Sequence, residues 1–236
     1  MPHTACPAAL CAVIFDLDGT LLDTLDDLAG AMNHVLAQEG MPVHPVDAYR
    51  YFVGDGMEAL VRRALPPERL DPTTVARALA AMRAEYDRRC TDKTRPYPGV
   101  SELLDALTRR NVPFAVFSNK PHDAAVDLVG RLLGRWKFAA VLGARPGYPV
   151  KPDPKGALEV AGLLGAAPGE CLYLGDTGTD MRTARAAGMR AVGALWGFRP
   201  AAELLEAGAH ALAASPADVL GLLDGCGRRG ATPPPA

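Results

Sequence analysis

Apolar and polar positions along the chain follow two successive patterns. A short apolar run with Val and Ile, Ala12–Phe15, predicts a strand buried on both faces. The next part, residues 24–94, places apolar side chains at helical spacing and contains no convincing strand. Its predicted helices are residues 24–39, 48–51, 56–65 and 73–90. This part of the chain therefore predicts an all-helical block.

Beyond residue 95 the pattern changes to short apolar runs that alternate with helical segments. The predicted strands are residues 112–117, 138–142, 171–174, 191–195 and 209–213. The predicted helices are residues 101–110, 121–133, 154–164, 179–187, 201–207 and 216–223. Such alternation predicts an α/β fold in which helices cover both faces of a parallel sheet.

These two patterns predict two domains. Residues 10–22 and 96–224 are expected to form an α/β core, and residues 23–95 an all-α domain inserted after the first strand. Residues 225–236 contain an arginine pair and three consecutive prolines, which are typical of a disordered tail.

Composition excludes several classes of protein. The 236 residues are 49% hydrophobic and carry a net charge of −2, and the basic residues are scattered, so neither a nucleic-acid surface nor a membrane span is expected. The five cysteines are an odd number without C-x-x-C spacing, which predicts no disulfide framework and no zinc site. No Lys or Arg precedes the N-terminal apolar run, so we expect no signal peptide and a cytoplasmic location.

Two acids, Asp16 and Asp18, follow the first strand and precede Gly19 and Thr20. Like charges this close raise each other's pKa, and a bound divalent cation relieves that cost. Ligands in open α/β sheets also bind at the carboxyl ends of the strands. The alternative is that these acids only cap the next helix.

Polar residues follow later strands as well. Ser118 and Asn119 come after the apolar run 112–117, where a hydroxyl and turn amides can bind a phosphate, although such pairs are usually turns. Lys151 precedes Pro152 and is either a phosphate ligand or a surface charge. Asp176 and Asp180 follow the strand 171–174 and are either metal-site acids or a helix cap.

Taken in order, these segments resemble the four motifs of the haloacid dehalogenase-like (HAD) hydrolases. The matching strings are Asp16-Leu-Asp18-Gly-Thr20, Ser118-Asn119, Lys151-Pro-Asp-Pro and Gly175-Asp176. The resemblance covers nearly the whole chain and implies a doubly wound, Rossmann-like core with an inserted α-helical cap. It also implies that Asp16 attacks phosphorus and becomes an aspartyl phosphate, while Asp18 acts first as general acid and then as general base.

The resemblance implies Mg²⁺ as cofactor, bound by Asp16, by the backbone carbonyl of Asp18 and by Asp176. Residues expected to bind the phosphoryl group or substrate are Thr20, Ser118, Asn119 and Lys151. Thr20 is also expected to fix Asp18 by a hydrogen bond. Asp180 is expected to orient Lys151 or a metal-bound water, and Lys120 is expected to face solvent or the substrate.

Among HAD hydrolases the chain looks most like phosphoglycolate phosphatases, which implies a small phosphorylated metabolite as substrate. In that family the loop at residues 53–57, Val-Gly-Asp-Gly-Met here, lies over the active site and could bind a carboxylate; an ordinary turn is equally consistent. Asp18 disfavours a dehalogenase, because dehalogenases of this family attack carbon and need no second acid at this position. Phosphonatases use a lysine of the cap as a Schiff base, and the only lysine in residues 24–94 is Lys93. A β-phosphoglucomutase-like transfer, a pyrophosphatase and an inactive metal- or phosphate-binding relative remain open, as does the oligomeric state.

Overall fold

The computed structural model describes residues 10–227. The expectation about the N-terminal segment concerns residues 1–9 and lies outside this range. Of the predicted tail at 225–236, the structure describes only residues 225–227, which are the end of a helix. The prediction that the tail begins at residue 225 is therefore wrong for its first turn, because the helix that precedes it continues to Gly227.

Eight strands occur in the described part of the chain. In order they are β1 (Ala12–Phe15), β2 (Leu22–Asp23), β3 (Arg95–Pro96), β4 (Phe114–Pro121), β5 (Val141–Ala144), β6 (Cys171–Gly175), β7 (Arg190–Ala194) and β8 (Ala211–Ala213). Six of them form one parallel sheet in the order β5-β4-β1-β6-β7-β8. The predicted parallel sheet is confirmed.

Ten α-helices accompany these strands over residues 10–227. They are α1 (Leu25–Gln38), α2 (Tyr49–Phe52), α3 (Met57–Ala64), α4 (Pro72–Arg89), α5 (Val100–Arg109), α6 (His122–Leu133), α7 (Lys155–Leu164), α8 (Gly178–Ala186), α9 (Ala201–Glu206) and α10 (Asp218–Gly227). Between β1 and β4 the structure has α1–α4 and then α5, and from β4 onward a helix follows each strand of the sheet. The predicted α/β alternation is confirmed.

The strand order places β1 at the topological switch of the sheet. From β1 the chain continues to β4 and β5 on one side, and it later returns to β6, β7 and β8 on the other. In open α/β sheets a crevice forms at the carboxyl ends of the strands where the order reverses. Asp16 directly follows β1, so the sequence places this acid at the crevice.

Apolar cores lie on both faces of the sheet. One core packs Val13 and Phe15 of β1 together with the helices α1–α6, and it includes buried side chains such as Met32 and Met82. The other packs Ile14 and Tyr173 against α7 and α8. Because successive strand residues face opposite sides, burial on both faces explains the unbroken apolar run in β1.

Helices α1–α4 form a helical insertion, residues 25–89, between β2 and β3. Helix α1 packs on α4. Asp71 caps α4 by accepting a 3.0 Å hydrogen bond from the Thr74 N–H, and Pro72 occupies the first turn. The antiparallel pair β2–β3 joins the two ends of the insertion, and sequence patterning did not predict it because two-residue strands carry no periodicity.

The strand that carries Ser118 is longer than expected. The predicted end of this strand at Ser118 and Asn119 is wrong, since β4 continues to Pro121, which pairs with Ala144 of β5. The register shifts between Phe117 and Pro121. The apolar run stops at Phe117 because the following side chains face the crevice, while the backbone remains extended.

No helix within residues 10–227 combines the length and the apolar character that a bilayer span requires.

Candidate active site

The site lies where β1, β4 and β6 end side by side. Asp16 follows β1, Ser118 lies in β4 and Asp176 follows β6. All three are buried, and the Asp16 N–H donates a 2.9 Å hydrogen bond to Leu174 O of the neighbouring strand. The parallel sheet therefore brings together residues that are more than 50 positions apart in the sequence.

Three carboxylates meet at this point. Asp16, Asp176 and Asp180 each offer an oxygen, and these oxygens lie within 4.8 Å of one another. Burial and the neighbouring Asp180 carboxylate raise the pKa of Asp16 to about 7. Burial and the carboxylates of Asp180 and Asp16 also raise the pKa of Asp176 well above its ordinary value. The cluster is thus short of positive charge.

Lys151 supplies one positive charge to the cluster. Its ammonium lies 2.9 Å from Asp16 Oδ1 and donates a 2.6 Å hydrogen bond to Asp180 Oδ1. Burial lowers the pKa of Lys151, but the two carboxylates outweigh burial and hold that pKa well above its ordinary value. Within residues 10–227 this buried oxygen accepts no hydrogen bond, and Lys151 contacts it only as an ion pair.

The donor set fits a divalent cation. Mg²⁺ prefers carboxylate, carbonyl and water oxygens, and Asp16 and Asp176 offer oxygens of this kind. The unpartnered Asp16 Oδ1 is a buried acceptor that a cation would satisfy. Gly19 leaves room for Asp176, because a side chain at Gly19 would collide with the Asp176 carboxylate.

The expected hydrogen bond from Thr20 to Asp18 is wrong. The Thr20 hydroxyl is fully buried and donates a 2.9 Å hydrogen bond to Asp176 Oδ1. The Phe198 N–H donates to Asp176 Oδ2 at 2.8 Å. Both oxygens of Asp176 are therefore oriented by donors, and Thr20 acts on Asp176 because the turn after β1 points its hydroxyl toward β6.

Asp180 has two sets of partners. One oxygen accepts from Lys151, and the other accepts from the N–H and the hydroxyl of Thr177, at 3.0 and 2.6 Å. Thr177 is the N-cap of α8, so Asp180 closes a capping box at the start of this helix. The helix cap that the sequence indicated and the contact with Lys151 that the resemblance implied are present together.

Asn119 links two parts of the site through its side chain. Its carbonyl oxygen accepts a 2.8 Å hydrogen bond from the Lys151 N–H, and its amide donates to Lys151 O and to Gly54 O, each at 3.2 Å. The Asn119 side chain therefore positions the backbone of Lys151. The Ser118 hydroxyl accepts a weak 3.3 Å bond from the Lys120 N–H and donates to no acceptor within residues 10–227.

Lys120 does not face solvent, so that part of the expectation is wrong. The residue is 5% exposed, and its ammonium lies 3.0 and 3.1 Å from the two carboxylate oxygens of Asp18 and 3.0 Å from the Tyr86 hydroxyl. Strand alternation could have placed Lys120 on the same side of β4 as Ser118. Nothing in the sequence pointed to Tyr86, which lies in α4.

The loop at residues 53–57 covers the crevice. Asp55 accepts a 2.7 Å hydrogen bond from the Thr179 hydroxyl and pairs with Arg63. Arg199, which sequence reasoning also missed, donates a 3.0 Å bond to Val53 O. These contacts hold the helical insertion against the carboxyl edge of the sheet.

A small cavity remains beneath the loop. Its volume is about 30 Å³, which is enough to hold a water molecule. The residues that line it are Asp16, Asp18, Leu28, Val53, Gly54, Gly56, Met57, Leu60, Ser118, Asn119, Lys120 and Pro121. Polar groups from the sheet edge thus face an apolar wall from the helical insertion.

Comparison with known proteins agrees with this arrangement. A family model described as haloacid dehalogenase-like hydrolase matches residues 13–194. A phosphoglycolate phosphatase from Pseudomonas putida is 36% identical over 194 residues, which are 79% of this chain and 70% of that protein. A phosphoglycolate phosphatase from Chromobacterium violaceum is 34% identical over 196 residues, 82% of this chain and 88% of that protein.

Solved structures share the fold. The crystal structure of a protein from Lactobacillus delbrueckii subsp. bulgaricus superposes with a TM-score of 0.85 at 31% identity, covering 92% of this chain and 99% of that one. The structure of CbbY from Rhodobacter sphaeroides, in complex with phosphate, superposes with a TM-score of 0.75 at 23% identity, covering 91% and 99%. The second likeness shows the fold alone.

Proposed function

Because the chain belongs to the haloacid dehalogenase-like hydrolases and is a phosphatase, we propose that it hydrolyses a small phosphate monoester with Mg²⁺ through an aspartyl-phosphate intermediate. The observation that carries this proposal is the cluster of Asp16, Asp176 and Asp180, whose oxygens lie within 4.8 Å of one another. Lys151 neutralises only part of that charge. Such a cluster is costly to bury unless a cation completes it.

We propose that Mg²⁺ is held by the carboxylates of Asp16 and Asp176 and by the backbone carbonyl of Asp18. When bound, the metal supplies positive charge that offsets the repulsion between these carboxylates and the phosphate dianion. Asp180 is left out of this set because the Lys151 ammonium, 2.6 Å away, already neutralises its charge, whereas the donors to Asp176 are uncharged.

In the proposed first step an Asp16 oxygen attacks phosphorus, and the bond from phosphorus to the ester oxygen breaks. Asp18, which takes up a proton from solvent as it turns away from Lys120, gives this proton to the departing oxygen. In the second step Asp18, now a carboxylate, takes a proton from the water that attacks the phosphorus of the acyl phosphate. Inorganic phosphate leaves, and both acids regain their starting states.

The phosphoryl oxygens are proposed to bind the Ser118 hydroxyl, the Asn119 backbone and Lys151. Support comes from the Ser118 side chain, which lines the cavity together with Asp16 and Asp18. Its hydroxyl donates to no acceptor within residues 10–227 and can therefore bind a phosphoryl oxygen. The Asn119 side chain contributes indirectly, since it fixes the backbone of Lys151. Preorganised donors of this kind stabilise charge that develops in the transition state.

We propose 2-phosphoglycolate as the substrate. The relatives from Pseudomonas putida and Chromobacterium violaceum bear the name phosphoglycolate phosphatase. The small cavity under the loop at residues 53–57 favours a small leaving group. This loop is proposed to close over the bound ester and exclude water.

The reaction class is tested by hydrolysis of p-nitrophenyl phosphate with Mg²⁺ and after treatment with EDTA. We expect activity that depends on the metal, and equal absence of activity in both conditions would indicate an inactive relative. A panel of 2-phosphoglycolate, sugar phosphates, nucleotides and pyrophosphate then tests the substrate. Preference for pyrophosphate, or transfer between sugar phosphates, would replace the phosphoglycolate proposal.

The nucleophile is tested by Asp16→Asn, which we expect to lower turnover more than about a thousandfold. Acid-quenched mass spectrometry should detect a phosphorylated Asp16 in the wild type only. The matched control is Asp47→Asn, because the Asp47 side chain is 91% exposed and lies outside the site. Near-normal turnover of Asp16→Asn would refute the assignment.

We also propose that the helical insertion belongs to a cap domain at residues 23–95 and that residues 10–22 and 96–224 form the core. The loop at 53–57 supports this division, since its contacts with Asn119, Thr179 and Arg199 join the two parts across the crevice. A reducing, cytoplasmic setting is proposed as well. The thiols of Cys11, Cys90 and Cys171 are free, which suits such a compartment.

A further inference from the structure

Lys120 is a second buried lysine at the site, and the phosphoryl chemistry does not require it. Its side chain is 2% exposed and pairs with Asp18, whereas Lys151 pairs with Asp16 and Asp180. Lys120 lines the cavity, and Lys151 does not. The two ammonium groups therefore pair with different acids of the site.

Lys120 lies at the end where the leaving group departs. In the proposed function Asp18 protonates the ester oxygen, which requires a contact of roughly 3 Å between them. Since the Lys120 ammonium is 3.0 Å from Asp18 Oδ1, it lies within about 6 Å of the ester oxygen in a reacting complex. A group one carbon away from that oxygen is within its reach.

Substrate binding frees one donor of this ammonium. All three N–H donors of Lys120 are used in the structure, two by the Asp18 oxygens and one by the Tyr86 hydroxyl. To protonate the ester oxygen, Asp18 must turn one oxygen away from Lys120. A buried ammonium with an unpaired donor is costly, so an acceptor on the substrate is favoured at this position.

The surroundings of Lys120 restrict what that acceptor can be. Leu28, Val53 and Leu60 form an apolar wall of the cavity, so a long hydroxylated leaving group finds no polar partners there. Gly56 and Met57, at the start of α3, also line the cavity, and this helix start has no side-chain cap. The amides of this helix start add to the positive potential on this side of the cavity.

We propose that Lys120 binds a carboxylate on the leaving group. This carboxylate is attached to the carbon that bears the ester oxygen. The inference rests on the proposed function and names the residue by which the site selects an ester of a short 2-hydroxy acid. Lys120 is then a substrate-binding residue that selects for charge, while Lys151 acts on the phosphoryl group of every substrate. Tyr86 positions Lys120 from α4 by accepting one of its hydrogen bonds.

The test compares 2-phosphoglycolate with 2-hydroxyethyl phosphate, which has the same length and no carboxylate. We expect the wild type to prefer phosphoglycolate in kcat/KM, and Lys120→Met to reduce this preference on the order of tenfold to a hundredfold. Lys137→Met is the control, because Lys137 is an exposed lysine that does not line the cavity, and it should keep the preference. If Lys120→Met lowers kcat/KM for both esters by the same factor, Lys120 only orients Asp18 and the proposal is overturned.

A second measurement needs no variant and is decisive if Lys120→Met does not fold. In 3-phosphooxypropionate and 4-phosphooxybutyrate the carboxylate lies progressively farther from the ester oxygen. We expect wild-type kcat/KM to fall along this series to the value for the neutral ester, and equal values would overturn the proposal. Equal rates that remain Mg²⁺-dependent would leave the phosphatase function intact, whereas absence of p-nitrophenyl phosphate hydrolysis would refute that function first.

Discussion

The Thr20 hydroxyl donates a 2.9 Å hydrogen bond to Asp176 Oδ1, although the two residues are 156 positions apart. Thr20 is itself fixed, because the Trp196 indole N–H donates to Thr20 O at 2.9 Å. Hydrogen bonds to the outer side of a metal-binding carboxylate orient its ligand oxygens and are known to affect metal affinity. Thr20 thus connects the turn after β1 to the proposed metal site.

Thr20→Val keeps the shape of the side chain and removes the donor. We expect the Mg²⁺ concentration that gives half-maximal rate to rise about tenfold to a hundredfold. The rate at saturating Mg²⁺ should change less, because Asp16 and Asp18 are untouched. A Mg²⁺ titration of the hydrolysis rate measures both quantities.

The control for this substitution is Thr73→Val, at an exposed threonine of α4. It should leave the Mg²⁺ dependence as in the wild type. An unchanged Mg²⁺ dependence in Thr20→Val would show that the bond to Asp176 does not influence the metal.

The stability of the metal-free protein should decrease as pH rises. Burial and the Asp180 carboxylate raise the pKa of Asp16 from 3.8 to about 7, so between these values the folded chain holds a proton that the unfolded chain has lost. The free energy of unfolding then falls with pH by at most about 1.4 kcal/mol per pH unit from this group. Urea unfolding in EDTA, from pH 4 to pH 8, measures this slope.

Asp16→Asn removes the titrating group and should flatten the slope relative to the wild type. Saturating Mg²⁺ should flatten it as well, because a cation favours the ionised carboxylates. Identical slopes for the variant and the wild type in EDTA would mean that Asp16 does not carry the extra proton.

Asp55 and Thr179 join the loop at residues 53–57 to the start of α8, and their coupling can be measured. A double-mutant cycle of Asp55→Asn and Thr179→Val on the free energy of unfolding should give a coupling of about 1 kcal/mol, typical of a partly buried hydrogen bond. Both single variants should also raise KM several-fold, because the open loop becomes more populated.

Glu58 and Arg62 provide the matched control on α3. Both side chains are largely exposed, and their 2.8 Å ion pair lies outside the crevice. Their cycle should give a coupling of no more than about 0.5 kcal/mol. A coupling between Asp55 and Thr179 as small as this one would contradict a role for their hydrogen bond in holding the loop closed.

Much of the fold could be predicted because local patterns determine it. The apolar run in β1 is unbroken because both faces of the sheet are covered, and its abrupt change to Asp16 marks the edge of the sheet. The proximity of Asp16 to Asp176 follows from β1 and β6 being parallel neighbours. Spacing and residue type thus indicated which polar groups meet.

Partners that depend on tertiary packing could not be predicted in this way. Thr20 bonds to Asp176 instead of Asp18 because the turn after β1 directs its hydroxyl toward β6. Lys120 is adjacent to Asn119 in the sequence, yet its partners Asp18 and Tyr86 come from β1's turn and from α4. Such choices depend on distances between elements that one-dimensional periodicity does not contain.

The antiparallel pair β2–β3 brings together the two points at which the chain leaves and re-enters the core. Leu22 pairs with Pro96 and Asp23 with Arg95, so about 70 intervening residues begin and end at neighbouring backbone positions. Any segment whose own ends meet at the spacing of two adjacent strands can be spliced at this junction without changing the path of the sheet. Recombination at β2–β3 is therefore a route by which one catalytic framework acquires a different specificity-determining segment.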